Sequence, residues 1–471
     1  MIEIFNLRCF QVDEIAARTR AIWMSARYLQ NSFVPVNRLP PEVLGLIPTS
    51  LHSKRDLINA TAVCRHWRNT LLSSPDLWCD VDCSGSRGPL REHMFRECLE
   101  RSRIVPLNVR LTSVRYLHDI TPHLARFSAL EIELAVPEQL GKIAAYFSHP
   151  APILRRLSIS AVASWDQAGL SIPSGLFGGD FASLRSLRIR GFSALKMPQY
   201  FPHLTRFDLQ THDFTTFKTD AILEALEHMP SLEILHVKFC PAHYPTSSFT
   251  PTLRSVTLPK LREVELSSLD DLDPILPPFI PPLLSALTLP SAEQITIGML
   301  PPVGSLALPS SFEEQLPSLA ETPAIDVCLD PEIISILFHG LQGSRLLFTT
   351  RWITRHRFWR GGFRGTPFLS VREMVVTFKR FYSELEKYFF DLLQAMERLE
   401  CLEMRGQYTW VLRLWSAKSP ADQQSICPSL KSLVVVKKPN DSVSGLLTKL
   451  MMARISYGVP LVEVAEVVSE V

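Results

Sequence analysis

From about residue 105 onward, the chain repeats one arrangement of hydrophobic and polar positions, apolar-x-x-apolar-x-apolar. We identify this unit at Leu154, Leu184, Leu204, Leu232, Leu261, Leu284, Val371, Leu399 and Leu430. Its last three residues alternate, which points two apolar side chains to the same face of a short strand. A single strand of this kind cannot bury that face, so successive units must stack on one another. The pattern therefore predicts an array of stacked strands.

The segments between these strands carry helical patterns. Pro137–Phe147, Asp220–Met229 and Tyr382–Met396 each place apolar residues three and four positions apart, as on one face of a helix. The first leucines of six successive units lie 20 to 30 residues apart. This spacing is typical of leucine-rich repeats, in which each turn has one strand and one return segment. Together the patterns predict an α/β leucine-rich-repeat solenoid over residues 105–470.

The register of the repeat is weakest over residues 268–330. Eleven prolines fall in residues 270–323, where average usage would give about three. Pro277-Pro278 and Pro281-Pro282 exclude a regular helix, because proline lacks the N–H group and clashes with the preceding turn. We expect either degenerate repeats or an inserted loop here, with residues 300–323 as the most mobile part.

Two segments that precede the repeats have simpler patterns. Ile15, Ile22 and Leu29 are seven residues apart, which puts them on one stripe of a helix. Residues 1–35 are therefore expected to be an N-terminal helical lead or a loosely packed tail. Residues 84–104 are expected to form a linker helix that leads into the repeats.

Residues 36–83 form a compact helical block. Pro40-Pro41-Glu42 begins its first helix, because proline and an acidic side chain suit the unpaired N–H groups of a first turn. A second helix is predicted over Asp56–Ala62, and a third carries Val63–Arg68, with its first and fifth residues as i, i+4 neighbours. Ser74-Pro75 ends the third helix. A generic helical hairpin with core leucines and tryptophans would show the same patterns.

Five short motifs in this block have a specific combined spacing. They are Leu39-Pro40-x-Glu42-Val43-Leu44-x-x-Ile47, Leu51, Asp56-Leu57, Val63-Cys64-x-x-Trp67-Arg68 and Ser74-Pro75-x-Leu77-Trp78. Together they resemble an F-box, over about a tenth of the chain. An F-box followed by irregular leucine-rich repeats is similar to F-box proteins of mushroom-forming fungi. The resemblance implies an α+β protein, with a small all-α F-box before an α/β solenoid.

The resemblance also implies a role. F-box proteins dock a Skp adaptor, which links them to a cullin and a RING subunit, while the repeats present substrates for ubiquitin transfer. The F-box supplies no chemistry of its own, so the chain is expected to be a non-catalytic subunit without a cofactor. The residues that the resemblance implies for adaptor binding are Leu39, Pro40, Glu42, Val43, Leu44, Ile47, Leu51, Leu57, Val63, Cys64, Trp67, Leu77 and Trp78.

Within that set, the family's pattern implies two roles. The residues expected toward the adaptor are Leu39, Pro40, Leu44 and Ile47, and we expect Leu44 to point outward. The residues expected to form or border the helical core are Val63, Cys64 and Trp67. Pro48 departs from the pattern, since it stands where the family often has an aromatic residue. Because proline biases the preceding residue away from helical angles, the first helix is expected to end early and adaptor affinity to fall.

Composition narrows the class of protein. The 471 residues include 49 basic and 47 acidic side chains, a net charge of +2, which gives no global attraction to nucleic acid or to an anionic membrane. No run of 18 apolar residues predicts a membrane span. The nine cysteines are irregularly spaced and the N-terminus lacks an apolar signal core. We expect free thiols in the cytoplasm or nucleus.

The sequence offers few candidates for chemistry. Cys79 and Cys83, with His93 and Cys98 nearby, make a zinc site imaginable, but a structural site needs four ligands and no second pair follows. Two thiols that flank a strand are the favoured interpretation. Neither a nucleophile elbow nor a phosphate-binding glycine loop is present. Histidines in the repeats, such as His236, are expected at solvent-facing or capping positions.

Residues 351–364 are unusual because five arginines lie among four aromatic residues. Arginine and aromatic side chains together bind phosphates, acidic peptides or bases. They also stack on one another at the edge of a repeat without any ligand. The residues of this segment that we take as possible substrate-binding positions are Arg351, Trp352, Arg355, Arg357, Trp359 and Arg360.

The sequence thus favours a substrate-recruiting subunit of a ubiquitin ligase, with a protein substrate and no membrane or nucleic-acid partner. The alternative is a leucine-rich-repeat binding protein with a degenerate F-box that acts outside the ligase. An enzyme would need an acid, a base and a nucleophile in one site, and no motif in the sequence brings these together.

Overall fold

A computed structural model describes most of the chain, and its residues divide into two compact units, Met1–Glu131 and Ile132–Val471. The described residues are 2–49, 54–83, 89–134, 138–161, 172–191, 201–211, 219–239, 254–268, 283–284, 286–298, 324–329, 333–340, 345–351, 371–379, 389–390, 392–394, 396–419, 426–437 and 443–468.

The helices are concentrated in the first unit and recur between strands of the second. They are α1 (Ile2–Ser32), α2 (Pro41–Thr49), α3 (Lys54–Thr61), α4 (Arg65–Ser73), α5 (Pro89–Arg101), α6 (Leu117–Ile120), α7 (Glu138–Tyr146), α8 (Thr219–Glu227), α9 (Thr409–Ser416) and α10 (Ser444–Ser456). Short 3-10 helices lie at Pro35–Arg38, Pro75–Trp78, Val114–Tyr116, Thr121–Arg126 and Leu176–Gly179.

The strands are short, as expected for a repeated unit of three alternating residues. They are β1 (Asp80–Cys83), β2 (Leu107–Leu111), β3 (Phe127–Leu134), β4 (Arg156–Ala161), β5 (Ser186–Arg190), β6 (Arg206–Thr211), β7 (Ile234–Phe239), β8 (Val256–Thr257), β9 (Glu263–Ser268), β10 (Leu287–Thr288), β11 (Gln294–Gly298), β12 (Ala324–Leu329), β13 (Ile333–His339), β14 (Arg345–Arg351), β15 (Glu373–Phe378), β16 (Cys401–Gly406), β17 (Ser432–Lys437) and β18 (Glu463–Val468). The chain is therefore a mixed α and β protein with a helical N-terminal region.

The first unit contains a small helical core. Helices α2, α3 and α4 pack against one another, and Leu57, Trp67 and Leu71 are buried between them. In α4, Trp67 and Leu71 are i, i+4 neighbours on its inward face, and the helix ends before Ser74-Pro75. The indole N–H of Trp78 then donates to the Leu71 carbonyl at 2.9 Å. This hydrogen bond closes the chain back onto the three helices.

The second unit is built on a parallel ladder of strands. Strands β4, β5, β6, β7, β9 and β11 pair in that order, each parallel to the next. Their registers align one row of buried side chains, whose members are Leu157, Leu187, Phe207, Leu235, Val264 and Ile295. Strands β15 to β18 form a second parallel run. The apolar unit of the sequence marks β4 to β7, β9 and β15 to β17 because each of these strands buries its alternate residues.

One of the predicted strands does not join the main sheet. The unit at Leu284 forms β10, which pairs with β8 in a separate two-stranded sheet. The strand that continues the main sheet is β11, which follows Ala292 in the same apolar-x-x-apolar-x-apolar pattern. The pattern predicted a strand at Leu284 but not its place outside the main sheet, because two copies of the pattern lie eight residues apart. The pattern predicts a buried strand at both places but does not predict which of the two pairs with the main sheet.

The order of strands also changes between the two parallel runs. Strand β14 pairs in parallel with β11, while β13 runs antiparallel to both β14 and β12. Strand β12 then pairs in parallel with β15. Most of residues 268–330, including 300–323, lies outside the described residues. Strands β12, β13 and β14 thus form an antiparallel meander between the two parallel runs. The repeat pattern did not predict this meander.

The described helices were also compared with the requirements of a membrane span. Across the part of the chain that the structure describes, no helix combines the length and the apolar character that a bilayer span requires. Helix α1 is long enough, but its side chains from Val12 onward are exposed and it carries several charges, among them Asp13, Glu14 and Arg18.

Candidate functional site

Helix α2 leaves an apolar stripe on the outside of the first unit. It begins at Pro41, and Glu42 lies in its first turn, where a negative charge favours the helix N-terminus. Val43 is 42% exposed and Leu46 is 64% exposed, and Ile47 is half-buried beside them. These three side chains are three and four residues apart, so they share one helix face.

Leu44 points the opposite way from our prediction. Its side chain is completely buried, on the side of α2 that packs against α3 and α4. The expectation that Leu44 points outward is therefore wrong. In a helix, residues 43 and 44 lie about 100° apart, and the packing of α2 against α3 and α4 places residue 44 on the inward side. Val43 and Leu46 take the outward positions instead.

Pro48 does not end the first helix early. Helix α2 continues through Pro48 to Thr49, so that prediction is also wrong. Proline fixes φ near −65°, which is a helical value, and its missing N–H removes only a bond in the last turn. The departure from the family's pattern at this position therefore leaves the outward face of α2 intact as far as Ile47.

The third helix begins later than the sequence suggested. Helix α3 ends at Thr61 and α4 begins at Arg65, with Cys64 at the N-cap. Val63 lies in the turn between them and is 61% exposed, so the expectation that it forms or borders the core is wrong. Residue 63 precedes the first turn of α4 and so does not share its inward face. Trp67 is buried, and its indole N–H donates to Asn37 Oδ1 at 2.7 Å.

The residues implied for adaptor binding separate into two groups. Those with accessible side chains are Leu39, Pro40, Glu42, Val43, Ile47, Val63 and Cys64. Those buried in the unit are Leu44, Leu57, Trp67, Leu77 and Trp78. Leu51 lies outside the described residues. The buried group holds the three helices together, and the accessible group, joined by Leu46, lies on the surface of the unit.

The cysteines near this block do not resemble a metal site. Burial raises the pKa of the Cys83 and Cys98 thiols above the ordinary value, which disfavours the thiolates that bind zinc. The Cys79 thiol donates to the Asp76 carbonyl at 3.0 Å. His93 is exposed on α5 and lies 3.8 Å from Glu97. Within the described residues, no cluster of three or more His, Cys, Asp or Glu side chains is placed to hold a metal ion.

The arginine and aromatic segment is described only at its start. Arg351 is the last residue of β14, where it pairs with Ile333 of β13. The other possible substrate-binding residues of this segment lie outside the described residues, and they are Trp352, Arg355, Arg357, Trp359 and Arg360.

The second unit carries a row of charges that sequence reasoning missed. Arg188, Asp208, His236 and Glu265 stand opposite one another in the registers of β5, β6, β7 and β9. We call these four residues the charged strand face. Each lies between the buried positions of its own strand, so it points away from the core. The sequence signals this row only when the same position of successive repeat units, 20 to 30 residues apart, is compared. Within a single unit, one charged residue between two apolar ones is an ordinary surface position.

His236 is the centre of the charged strand face. Its Nδ1 lies 2.9 Å from Asp208 Oδ1, and its Nε2 lies 2.8 Å from Glu263 Oε1. The side chain is only 13% exposed, which corrects the expectation of a solvent-facing or capping histidine. Arg188 and Arg206 also contact Asp208, at 3.4 and 2.9 Å. The row is therefore a continuous network of ion pairs.

The network changes the protonation of its members. The hydrogen bond to Asp208 raises the pKa of His236, partial burial lowers it, and the bond to Glu263 raises it again, so the pKa lies above its ordinary value. Burial raises the pKa of Asp208. Hydrogen bonds from His236 and Arg206 and the nearby arginine charges lower it by more, so the pKa lies well below its ordinary value. The carboxylate form of Asp208 is therefore favoured within the network.

Comparison with known protein families gives a match that lies in the first unit. Residues 36–84 match the family model described as F-box-like. The first unit contains an F-box-like domain. F-box domains generally bind Skp-type adaptors, and F-box proteins are typically non-catalytic. No curated protein matches the chain. Helices α2, α3 and α4, with the 3-10 helix at Pro75–Trp78, all lie within the matched residues.

Proposed function

We propose that the chain is the substrate-recruiting subunit of a Skp–cullin–F-box ubiquitin ligase. The F-box-like domain docks the Skp-type adaptor, and the adaptor brings the cullin and RING subunits. The protein is a non-catalytic subunit, uses no cofactor and acts in the cytoplasm or nucleus. The observation that supports this most strongly is the apolar stripe that the F-box-like domain leaves exposed on α2.

The adaptor contact is formed by the accessible face of α2 and the chain before it. Val43, Leu46 and Ile47 provide the apolar centre, and Leu39 and Pro40 extend it toward the helix N-terminus. Full burial of a valine or leucine side chain is worth about 1.5–3 kcal/mol, so two such residues account for a substantial affinity. The exposed Val63, in the turn before α4, is a further position at which a partner gains apolar contact.

The second unit is proposed to be the substrate receptor. Its two parallel runs of strands, with α7, α8 and α10 among the return segments, support a leucine-rich-repeat solenoid similar to that of fungal F-box proteins. The charged strand face presents a row of both signs, which favours a protein substrate with complementary charges over an apolar ligand. The segment from Arg351 to Arg360 is a second candidate surface for an acidic substrate.

Reconstitution with the ligase subunits tests the proposal. The full chain is mixed with a purified Skp-type adaptor, a cullin and a RING subunit, and the mixture is separated by size. We expect one complex that contains all four chains in equal amounts. If the chain is folded, as judged by circular dichroism, and elutes alone at micromolar concentrations, the ligase role is wrong. The alternative is then a repeat protein that binds its partner outside the ligase.

A further inference from the structure

A cleft lies inside the first unit, between the C-terminal end of α1 and the beginning of α4. Its volume is about 450 Å³, which lies in the range of about 300–1,000 Å³ that small-ligand pockets occupy. Polar residues from α1 and from the chain after it line one side, and Arg65, His66 and Arg68 line the other. Neither the F-box-like match nor the proposed adaptor contact assigns a role to this cleft.

The charges that line the cleft all have one sign. Arg27, Arg65 and Arg68 contribute guanidinium groups, and no Asp or Glu is among the lining residues. Arg27 stacks on the Trp23 ring at 3.8 Å, and Arg68 Nε donates to the Thr61 carbonyl at 3.1 Å. Neither contact neutralises the charge, and within the described residues none of the three arginines pairs with a carboxylate. The fixed positions of two of them reduce the entropy that a ligand must remove.

Two further donors point to an anion. Cys64 precedes α4 without capping it, so the first N–H groups of this nine-residue helix have no side-chain acceptor and carry positive partial charge. The Nε2 atom of His66 is buried and has no hydrogen-bond partner within the described residues. Asn37 is held beside them, because its Oδ1 accepts from Trp67 and its Nδ2 donates to the Asn31 carbonyl at 2.7 Å. The cleft therefore combines cationic donors with a rigid wall.

We propose that this cleft binds a phosphate monoester. A tetrahedral dianion accepts bidentate hydrogen bonds from guanidinium groups and further bonds from a helix N-terminus, and the cleft supplies both. A phosphorylated side chain of a protein and a small phosphorylated metabolite share this chemistry, and the volume accommodates either one. This role goes beyond adaptor docking, since no residue of α2 lines the cleft, and Cys64 is the one lining residue that also belongs to the implied adaptor surface.

Titration calorimetry on the full chain at low salt tests the proposal. The probes are a short peptide with a central phosphoserine, the same peptide with serine, the same peptide with glutamate, and glycerol 3-phosphate. We expect saturable one-to-one binding of the phosphopeptide or of glycerol 3-phosphate, and the tighter probe identifies the source of the phosphate. If neither phosphate probe binds saturably, or if the glutamate peptide binds as tightly as the phosphopeptide, the proposal is overturned.

Variants locate the binding to the cleft. Arg65→Gln removes a guanidinium that has no ion pair among the described residues, so the fold should be retained and affinity should fall at least tenfold. The matched control is Arg20→Gln, an exposed arginine on α1 outside the cleft, which should bind like the unaltered chain. If Arg65→Gln does not fold, Arg27→Gln takes its place. Equal affinity in the folded cleft variant and the control overturns the proposal. The adaptor is absent throughout, so failure here does not affect the proposed function.

Discussion

At the scale of single residues, two glycines show that strands β5 and β16, although far apart in the sequence, end in the same backbone conformation. Gly191 and Gly406 both have φ of +79° and both follow an arginine; Gly191 comes directly after β5, and Gly406 is the last residue of β16. A Cβ atom at either position would lie 2.1 Å from a carbonyl oxygen of the neighbouring strand, that of Ala161 or Phe378. The backbone therefore passes so close to its neighbour that only glycine fits.

Gly191→Ala and Gly406→Ala should each destabilise the second unit. The left-handed conformation costs an L-residue about 1–2 kcal/mol, and the contact with the carbonyl adds to that cost. Urea unfolding of the two variants measures this loss. The control is Gly445→Ala in α10, where no atom lies within 4 Å of the added Cβ and where alanine is the better helix former. If the control and the two variants unfold alike, the strained conformation is not present.

His236 should make the second unit less stable as the pH rises through neutrality. Because Asp208 and Glu263 raise the pKa of His236, the folded chain holds this proton more tightly than the unfolded chain. The stabilisation is fully present below about pH 6.5, the ordinary pKa of histidine. It is lost as the pH rises through the raised pKa of the folded state.

The variant His236→Gln isolates this effect. We expect it to lose about 1.5–3 kcal/mol of unfolding free energy at pH 6, the scale of a hydrogen bond to a charged group, and much less at pH 8.5. Because the variant is compared with the unaltered chain at each pH, the contributions of the other histidines to the pH dependence cancel. These include His123, whose pKa is lowered by burial and by Arg126. An equal loss at both pH values would show that His236 is not held as an ion.

At the scale of elements, sequence patterns located helices and strands but not always their faces. The repeated unit placed β4 to β7, β9 and β15 to β17, because each strand must bury the same two alternate side chains. It did not place β12 to β14, whose antiparallel pairing depends on connections and not on the repeat. It also did not reveal Arg454 at the end of α10. This arginine is buried, pairs with no carboxylate in the part of the chain that the structure describes, and donates to the Ile426 and Cys427 carbonyls.

The face of α2 is the clearest case. The sequence contains Val43, Leu44, Leu46 and Ile47 in one short helix, and both a core and a partner require apolar residues. Periodicity therefore predicts two apolar stripes but does not say which one faces inward. Only the packing of α2 against α3 and α4 decides that Leu44 is the inward residue.

Alanine substitutions on α2 should separate the two faces by stability. Leu44→Ala removes a fully buried side chain and should cost about 2–5 kcal/mol. Leu46→Ala, on the exposed face, should change stability by no more than about 0.5 kcal/mol. Hydrogen exchange of peptides that cover residues 54–73 measures both effects. Equal loss of protection in the two variants would contradict the assignment of the faces.

At the scale of the whole molecule, the second unit depends on contacts between neighbouring strands. The aligned row from Leu157 to Ile295 is buried in every strand that it crosses, so removal of one strand would expose apolar side chains on the next. The first unit has its own core around Trp67 and Leu71. The sequence predicted the stacking of units because one strand alone cannot bury its face. It did not predict the meander at β12 to β14.

Limited proteolysis of the native chain should follow this organisation. We expect the first cut within the proline-rich residues 300–323, since prolines cannot donate the hydrogen bonds of a strand ladder. Residues 181–266 should resist, because β5, β6, β7 and β9 are paired on both sides. Fragment masses after brief digestion identify the sites. A stable fragment that ends inside residues 181–266 would contradict a single stacked body.

The most direct test of the account is the affinity of the full chain for a purified Skp-type adaptor, measured by calorimetry. We expect the unaltered chain to bind and Val43→Glu or Leu46→Glu to weaken binding at least tenfold, which is about 1.4 kcal/mol. The matched control is Ile22→Glu on α1, whose apolar side chain is 71% exposed against 64% for Leu46, and which should bind normally. A folded chain that does not bind the adaptor, or that binds it equally well with glutamate at residues 43 and 46, would contradict the account.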